Sequence, residues 1–262
     1  MALKYLDCSD SNLSELDVSK NVNLVKLDCY DNQLKTLDVS KNTALKCLNC
    51  SDSNLSELDV SKNIALKYLD CSFSDLSELD VSKNIALKYL DCSVCNLKEL
   101  NFAWNVGLEN LFCSENQLTS LDVSKNVNLE CLWCQGNKLT SLNLAWNVEL
   151  ENFDCHENQL TSLDVSKNVN LKYLECSDNQ LASLNLAWNV ELETLECLEN
   201  QLTSLDVSKN ITLKYLNCRL NDLKKLNLAQ NVELEILDCD SCHLTSLDVS
   251  KNIWWCSTKY AD

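Results

Sequence analysis

Residues 171–191 read LKYLECSDNQLASLNLAWNVE, and this stretch consists of two similar halves. Across the chain the halves have the forms LxxLxCxxNx and LxxLxVxxNxx, with Val, Leu or Phe at the V position. The 21-residue unit recurs twelve times over residues 3–254 without an insertion or a deletion, and unit positions 1, 11 and 14 are leucine in every copy. A fixed period of this length is typical of a solenoid, in which each unit packs only against its neighbours.

Each half of the unit has the pattern of a short strand. Its second leucine and the Cys or Val two residues later share one face of an extended segment, and the following xxN turns the chain. The helical spacing i, i+3, i+4, i+7 is not sustained. We therefore predict a right-handed parallel β-solenoid of twelve 21-residue coils, with two short parallel strands per coil and little or no α-helix. The chain, 1–262, is predicted to be one domain in which the tail 255–262 caps the last coil.

Asparagine takes the place of the usual turn residues, since the 262 residues include no proline and only two glycines. Unit position 19 is Asn in all twelve copies, from Asn21 to Asn252, and position 9 is Asn in seven. A buried turn leaves backbone groups that need partners, and an amide side chain both donates and accepts hydrogen bonds. The pattern predicts two asparagine ladders, and a row of polar ligand-binding side chains is the alternative.

Twelve of the 17 cysteines occupy unit position 6, on the same strand face as the leucine at position 4. Free cysteine behaves as a small, often buried hydrophobe. Copies stacked about 4.8 Å apart do not match the Cβ separation of about 3.8 Å in a disulfide, so we predict a column of reduced thiols. So many thiols favour a reducing compartment. The twelve are Cys8, Cys29, Cys50, Cys71, Cys92, Cys113, Cys134, Cys155, Cys176, Cys197, Cys218 and Cys239.

Four of the other five cysteines form CxxC pairs with this column, a pattern that raises the question of a metal site. In the pairs 47/50 and 131/134, the spacing places the two thiols on opposite strand faces. The pairs 92/95 and 239/242 lie seven coils apart and cannot share a metal ion. We therefore predict no metal site and no cofactor. The five are Cys47, Cys95, Cys131, Cys242 and Cys256.

The segment 129–139, LECLWCQGNKL, has the LxxLxCxxNxL form of the strand part of a leucine-rich repeat. The full unit resembles the nested bacterial class called IRREKO repeats, LxxLxCxxNxLxxLDLxxNxx. The resemblance covers 252 of the 262 residues. It implies a leucine-rich-repeat solenoid and a non-enzymatic binding or adhesion protein, often of a bacterial surface.

Charge and motif content argue against several function classes. The net charge of −17, with Arg219 as the single arginine, disfavours nucleic acid as a partner. No stretch approaches about 18 apolar residues and the start has no signal-peptide core, so we expect neither a membrane partner nor standard export. The thiols favour the cytoplasm, whereas the resemblance allows a bacterial surface or a secreted protein. His156 and His243 lie four coils apart and no phosphate loop is present, so we predict no enzyme.

Aromatic residues recur at positions 3 and 5, which are predicted to point outward when positions 4 and 6 point inward. Together with acidic neighbours they predict an exposed aromatic patch with a polar rim, which is the usual anatomy of a protein-binding surface. The alternative is that aromatics are simply good strand residues that stack along a ladder. The candidate binding residues are Tyr68, Tyr89, Phe112, Trp133, Tyr173 and Tyr215.

A second row of aromatic residues lies in the other half of the unit. Trp104, Trp146 and Trp188 recur in every second coil, about 9.6 Å apart. That spacing is close to a disaccharide step in an extended glycan, which makes a sugar-stacking row an alternative binding site. The competing interpretation is that each Trp covers a turn and contacts lysines of adjacent coils, such as Lys125 and Lys167.

The leading hypothesis is a binding scaffold that uses the aromatic outer face of the first-strand sheet for a protein partner. A glycan-binding adhesin is the second hypothesis, and a structural, self-assembling or engineered repeat rod is the third. The N-terminal coil has no evident cap, which predicts end-to-end self-association or a piece of a longer protein. Weak calcium binding is a further hypothesis for the column of stacked carboxylates Asp17, Asp38, Asp59 and Asp80.

Overall fold

The computed structural model describes residues 3–252, in which each coil contributes one three-residue strand to a single parallel sheet. The strands lie side by side in chain order from β1 to β12. Their bounds are β1 Tyr5–Asp7, β2 Lys26–Asp28, β3 Cys47–Asn49, β4 Tyr68–Asp70, β5 Tyr89–Asp91, β6 Asn110–Phe112, β7 Cys131–Trp133, β8 Asn152–Asp154, β9 Tyr173–Glu175, β10 Thr194–Glu196, β11 Tyr215–Asn217 and β12 Ile236–Asp238.

Adjacent strands pair at an offset of one whole unit, so that equal unit positions stack directly on one another. Leu111 of β6, for example, pairs with Leu90 of β5 and with Leu132 of β7. This middle residue, at position 4, points into the core and is buried from β2 to β11, including Phe153 in β8. The leucines at positions 1 and 11 and the cysteine column complete the interior. The parallel solenoid of 21-residue coils is confirmed.

The second strand predicted in each coil does not form in the described part of the chain, apart from one isolated bridge between Asn227 and Asp248. Two consecutive turns take its place. In the seventh coil, Asn147 N–H donates to Leu144 O (3.0 Å), and Leu150 N–H donates to Asn147 O (3.2 Å). Just before them, the Oδ1 of Asn143 accepts the N–H of Ala145 (3.1 Å). These short-range bonds bend the backbone instead of leaving it extended for pairing.

The two asparagine ladders form as predicted, with different geometries. At position 19, the buried Nδ2 of Asn147 donates to Val123 O (3.1 Å) and to Asn126 O (2.8 Å) of the preceding coil. At position 9, the amide of Asn158 satisfies both coils: Nδ2 donates to Cys134 O (3.0 Å) of the preceding coil and to Cys155 O (3.1 Å) of its own, and Oδ1 accepts Leu139 N–H (2.9 Å). Each ladder thus ties the backbone of one coil to the next.

Position 8 has a left-handed backbone in all twelve coils, with φ between 47° and 63°. Gly136 occupies this position in the seventh coil, and Asp or Glu occupies it in most others. Phe73, Val94 and Leu220 stand there as well, although bulky or β-branched residues rarely adopt positive φ. The turn is held by backbone hydrogen bonds to the next coil, such as the one from Val94 N–H to Ser114 O (2.9 Å), whatever side chain the sequence supplies.

The cysteine column is reduced and buried over most of its length, as predicted. Its thiols bridge coils by weak hydrogen bonds, such as the one from Cys92 Sγ to Phe112 O (3.5 Å). Cys95 and Cys242, which replace Asn at position 9, donate through sulfur to the carbonyls that an asparagine would contact, Cys71 O (3.6 Å) and Cys218 O (2.9 Å). These two cysteines therefore continue the ladder.

The first coil is less covered than the others, because Tyr5 is 68% exposed and Leu6 and Cys8 are only partly buried. The predicted capping tail, 255–262, lies outside the described residues. Within those residues, no helix has the length and apolar character needed to span a membrane.

Candidate functional site

The outward side of the twelve-stranded sheet, called here the strand face, carries unit positions 3 and 5. Positions 4 and 6 point into the core, so the side chains at 3 and 5 stand on the opposite side of the backbone. Because equal positions stack coil on coil, each position forms a column in which successive residues are about 4.8 Å apart. The candidate aromatic residues lie in these two columns.

Four of the predicted residues form one continuous aromatic cluster over β4–β7. The rings of Tyr68 and Tyr89 are stacked, with centroids 4.3 Å apart. Tyr89 contacts Phe112 at 5.3 Å, and Phe112 meets Trp133 edge to face at 5.1 Å. The contacts therefore cross from the position 3 column to the position 5 column. We call Tyr68, Tyr89, Phe112 and Trp133 the aromatic cluster.

Tyr173 and Tyr215, the other two predicted residues, stand in the position 3 column farther along the sheet, in β9 and β11. Asn152 and Thr194 occupy the intervening strands β8 and β10. In the described part of the chain, no ring contact joins either tyrosine to the cluster. They remain on the strand face but are separate from the cluster.

Carboxylates at position 5, some partly and some almost fully buried, border the aromatic cluster on both sides. Burial raises the pKa of Asp70 and Asp91 on the side of β4 and β5. On the other side, Asp154 is 7% exposed and Glu175 is 8% exposed. Burial raises the pKa of Glu175 to about 7, and the nearby carboxylates of Glu196 and Asp154 add to the shift. Each end of the cluster therefore carries desolvated carboxyl groups.

His156 stands two residues after Asp154 on the same face, and its Nδ1 lies 2.7 Å from Asp154 Oδ1. This hydrogen bond raises the pKa of His156 to about 9, so that the imidazole is protonated at neutral pH. From the sequence we considered His156 only as a catalytic candidate and did not predict its pairing with Asp154. The available signal was the strand alternation, which places position 7 on the same face as positions 3 and 5.

The tryptophan row lies on the turns, away from the aromatic cluster. Trp104, Trp146 and Trp188 are 62–63% exposed. The lysines at the same unit position in the intervening coils, such as Lys125 and Lys167, therefore leave most of each indole open to solvent.

Comparisons with known proteins find similarity among solved structures. No protein-family model matches the chain, and no curated protein matches it. Among solved structures, the functional domain of InlJ from Listeria monocytogenes, described as including a cysteine ladder, aligns with a TM-score of 0.95 and 36% identity. The alignment covers 95% of this chain and 56% of the InlJ chain. The chain is a leucine-rich-repeat protein.

Two further bacterial leucine-rich-repeat structures are similar to this one. LIC12759 from Leptospira interrogans aligns with a TM-score of 0.80 and 24% identity over 85% of this chain and 62% of its own. YopM from Yersinia enterocolitica aligns with a TM-score of 0.72 and 29% identity over 90% of this chain and 50% of its own. The chain thus spans roughly half to two thirds of the length of these proteins. Such leucine-rich-repeat scaffolds are generally used for protein interaction.

Metal coordination has no structural basis within residues 3–252 of this leucine-rich-repeat protein, since no group of three or more His, Cys, Asp or Glu side chains is placed to hold an ion. In the carboxylate column proposed for calcium, Asp38 Oδ1 accepts the N–H of Ser40 (2.9 Å), and Asp59 and Asp80 make the same bond. Hydrogen bonds from the side chains and the backbone N–H groups of these serines lower the pKa of the three carboxyls. The carboxylates therefore act as caps of the turns.

Glu175→Gln is expected to stabilise the protein at pH 8 by about 1–3 kcal/mol and to have little effect at pH 4. The folded chain holds the Glu175 proton up to about pH 7, whereas an unfolded chain releases it near pH 4.3. Stability therefore falls as the pH rises between these values, and glutamine cannot ionise. Urea unfolding at the two pH values measures the difference. The exposed Glu157→Gln is the matched control, and an equal pH-dependent gain in both variants would contradict the prediction.

Proposed function

We propose that this leucine-rich-repeat protein binds a protein partner through the aromatic cluster on its strand face. The supporting observation is the unbroken chain of ring contacts from Tyr68 to Trp133, which spans four coils. Trp133 is 40% exposed, so a partner can bury a large part of it. Aromatic side chains of this kind supply much of the binding energy at protein interfaces.

The carboxylates at both ends of the cluster define the chemistry of the partner. Asp91 is held in a partly desolvated position, where a cation gains more from a negative charge than it does in water, and a cation beside Glu175 favours the ionised form of that carboxyl. We therefore expect the partner to present an apolar centre flanked by lysine or arginine side chains, which matches the potential of this face.

The double variant Phe112→Ala/Trp133→Ala is expected to lose this binding without loss of fold. Peptides selected from a displayed library on the wild-type chain serve as the probe. The variant should bind them about 30-fold or more weakly, which corresponds to the ~2 kcal/mol that defines a hot spot. Trp146→Ala, which removes an equally large ring from the turns, is the control. Selected peptides that bind the double variant and the wild type equally would overturn the proposal, provided that the circular dichroism spectra of the two proteins agree.

Glycan binding through the tryptophan row is the second candidate function, favoured by the 62–63% exposure of Trp104, Trp146 and Trp188. Indole rings stack on sugar faces, and their spacing of about 9.6 Å suits every second sugar of an extended chain. The triple alanine variant should lose every signal that the wild type gives on a glycan array. Signals that persist in this variant, or that depend on Phe112 and Trp133, would argue against the row.

A further inference from the structure

A stripe of exposed valine and isoleucine side chains runs along the turns at unit position 20. Each member from Ile64 onward lies between a buried Asn at position 19 and a buried Leu at position 1, and Val22 precedes the buried Leu24, yet every member is 42–61% exposed. The position 19 ladder stacks these turns coil on coil, as the bond from Asn147 Nδ2 to Asn126 O (2.8 Å) shows. Over the first ten coils the valine–isoleucine stripe consists of Val22, Ile64, Ile85, Val106, Val127, Val148, Val169, Val190 and Ile211, with Thr43 at this position in the second coil; Val232, 52% exposed, continues the column in the eleventh coil.

The stripe is long enough to be an interface. Nine steps from coil to coil separate Val22 from Ile211, which gives a length of about 43 Å at about 4.8 Å per step. Isolated exposed aliphatic residues are normal on a protein surface, but a continuous apolar band usually marks an interaction site. The residue that follows the stripe in each turn, at unit position 21, has a small side chain in N-terminal coils, where Ala44, Ala65 and Ala86 stand.

Charge along the neighbouring position 2 column changes sign in the middle of this stripe. The column is continuous, because each N–H donates to the position 2 carbonyl of the preceding coil, as Glu130 N–H does to Glu109 O (2.8 Å). Its residues from the first to the tenth coil are Lys4, Val25, Lys46, Lys67, Lys88, Glu109, Glu130, Glu151, Lys172 and Glu193. The change from lysine to glutamate falls between the fifth and sixth coils, beside Val106 and Val127, the midpoint of the ten-coil span.

This order is complementary to its own reverse. When the column is laid against a second copy running the other way, Lys88 meets Glu109, Lys67 meets Glu130, Lys46 meets Glu151 and Lys4 meets Glu193. Lys88 and Glu109 also pair within one chain, so the two-fold axis brings two such pairs together. The one position without a charge, Val25, meets Lys172, whose charge is paired within its own chain by Glu151 Oε2 (2.8 Å). The same reversal places Val106 against Val127 and superposes the stripe on itself, except that Thr43 meets Val190.

We propose that two copies of this chain associate side by side and antiparallel through the valine–isoleucine stripe. The two-fold axis crosses the stripe between Val106 and Val127, so the interface is isologous and closes as a dimer. The stripe supplies the apolar centre, and the position 2 columns supply matched charge along one border. This differs from the end-to-end association expected from an uncapped first coil.

The position 18 column forms the other border of the interface, and we expect this border to be exposed to water. Under the same reversal, Lys41 meets Trp188 and Lys83 meets Trp146, which suits cation–π contacts. Lys20 meets Lys209 and Lys62 meets Lys167, and such pairs are tolerated only where water screens them. The dimer is therefore expected to be centred between the stripe and the position 2 column.

Charge reversal with a mixing step tests the arrangement by sedimentation equilibrium of the full chain. The wild-type chain should form a dimer at micromolar concentration, and 1 M salt should weaken this dimer. Lys67→Glu and Glu130→Lys should each weaken the dimer by about 10-fold or more, because each places like charges opposite one another at two sites. An equimolar mixture of the two variants should recover wild-type association, since every contact between the two different chains is again opposite in charge.

Two valine substitutions test the apolar centre. Val127→Asp should abolish the dimer, whereas Val94→Asp changes an exposed valine outside the stripe and should leave it intact. A wild-type chain that stays monomeric at 100 μM would overturn the proposal, whether or not it binds vesicles of anionic lipid. An associated state that the mixed variants fail to recover, or that responds to Tyr5→Lys and not to Val127→Asp, would overturn it as well.

Discussion

Asn126→Asp is expected to lower the free energy of unfolding by about 3 kcal/mol or more. Asn126 is fully buried, and its Nδ2 donates to Phe102 O (3.1 Å) and Asn105 O (2.9 Å) of the preceding coil. An aspartate of the same shape has no N–H to donate and places negative oxygens against two carbonyls. Two carbonyls of the preceding coil each lose a hydrogen bond, and the new carboxylate lies buried without a donor.

Asn128→Asp is the matched control, two residues farther along the same turn. Its Nδ2 donates to Val106 O (3.2 Å), but the side chain is exposed and water can replace the bond. We expect this variant to change stability by less than about 0.5 kcal/mol. Urea unfolding followed by circular dichroism compares the two, and similar losses at both positions would show that the ladder bond is not the cause.

Native-state alkylation is expected to leave the buried cysteine column almost unreacted, with rates about 1,000-fold or more below those in urea. Thiols from Cys29 to Cys218 at position 6 are fully buried, and burial raises the pKa of Cys113 to about 12. Reaction therefore requires opening of the coil, which costs several kcal/mol in a stable domain. Iodoacetamide at pH 8, with quenching and peptide mass spectrometry, measures each site separately.

Cys47 and Cys131 provide the internal control for this experiment. They lie at position 3 on the strand face and are only partly buried, so they should react first in the native protein. In urea all of these thiols should react at similar rates. If Cys113 or Cys134 reacted as fast as Cys47 under native conditions, the packed thiol column would be refuted.

The repeat itself determined most of the fold, because equal unit positions acquire equal surroundings in a stack. A leucine at position 4, a cysteine at position 6 and an asparagine at position 19 each had one consistent environment, so their burial and partners followed from the period alone. The adjacency of Phe112 and Trp133 on the strand face followed in the same way, since they stand at position 5 in consecutive coils.

Three features depended on the tertiary structure. The second strand of each coil is replaced by turns, because local bonds such as that from Ala145 N–H to Asn143 Oδ1 compete with pairing to the next coil. The left-handed backbone at Val94 runs against the preference of that residue, and a backbone bond from its N–H to Ser114 O of the next coil (2.9 Å) holds it. The pKa of Glu175 is set by burial and by its neighbours in adjacent coils.

Position 20 shows the boundary most clearly. Valine or isoleucine at this position has the same character in sequence as the buried valine at position 16, yet Ile64 is 61% exposed and Val60 is fully buried. The period reveals that both residues recur, but only the turn geometry decides which side chain faces the core, because a one-residue change of direction in a turn reverses the side that a side chain occupies. The sequence by itself therefore determined the coil and its ladders, and the tertiary structure decided which apolar column is left on the surface.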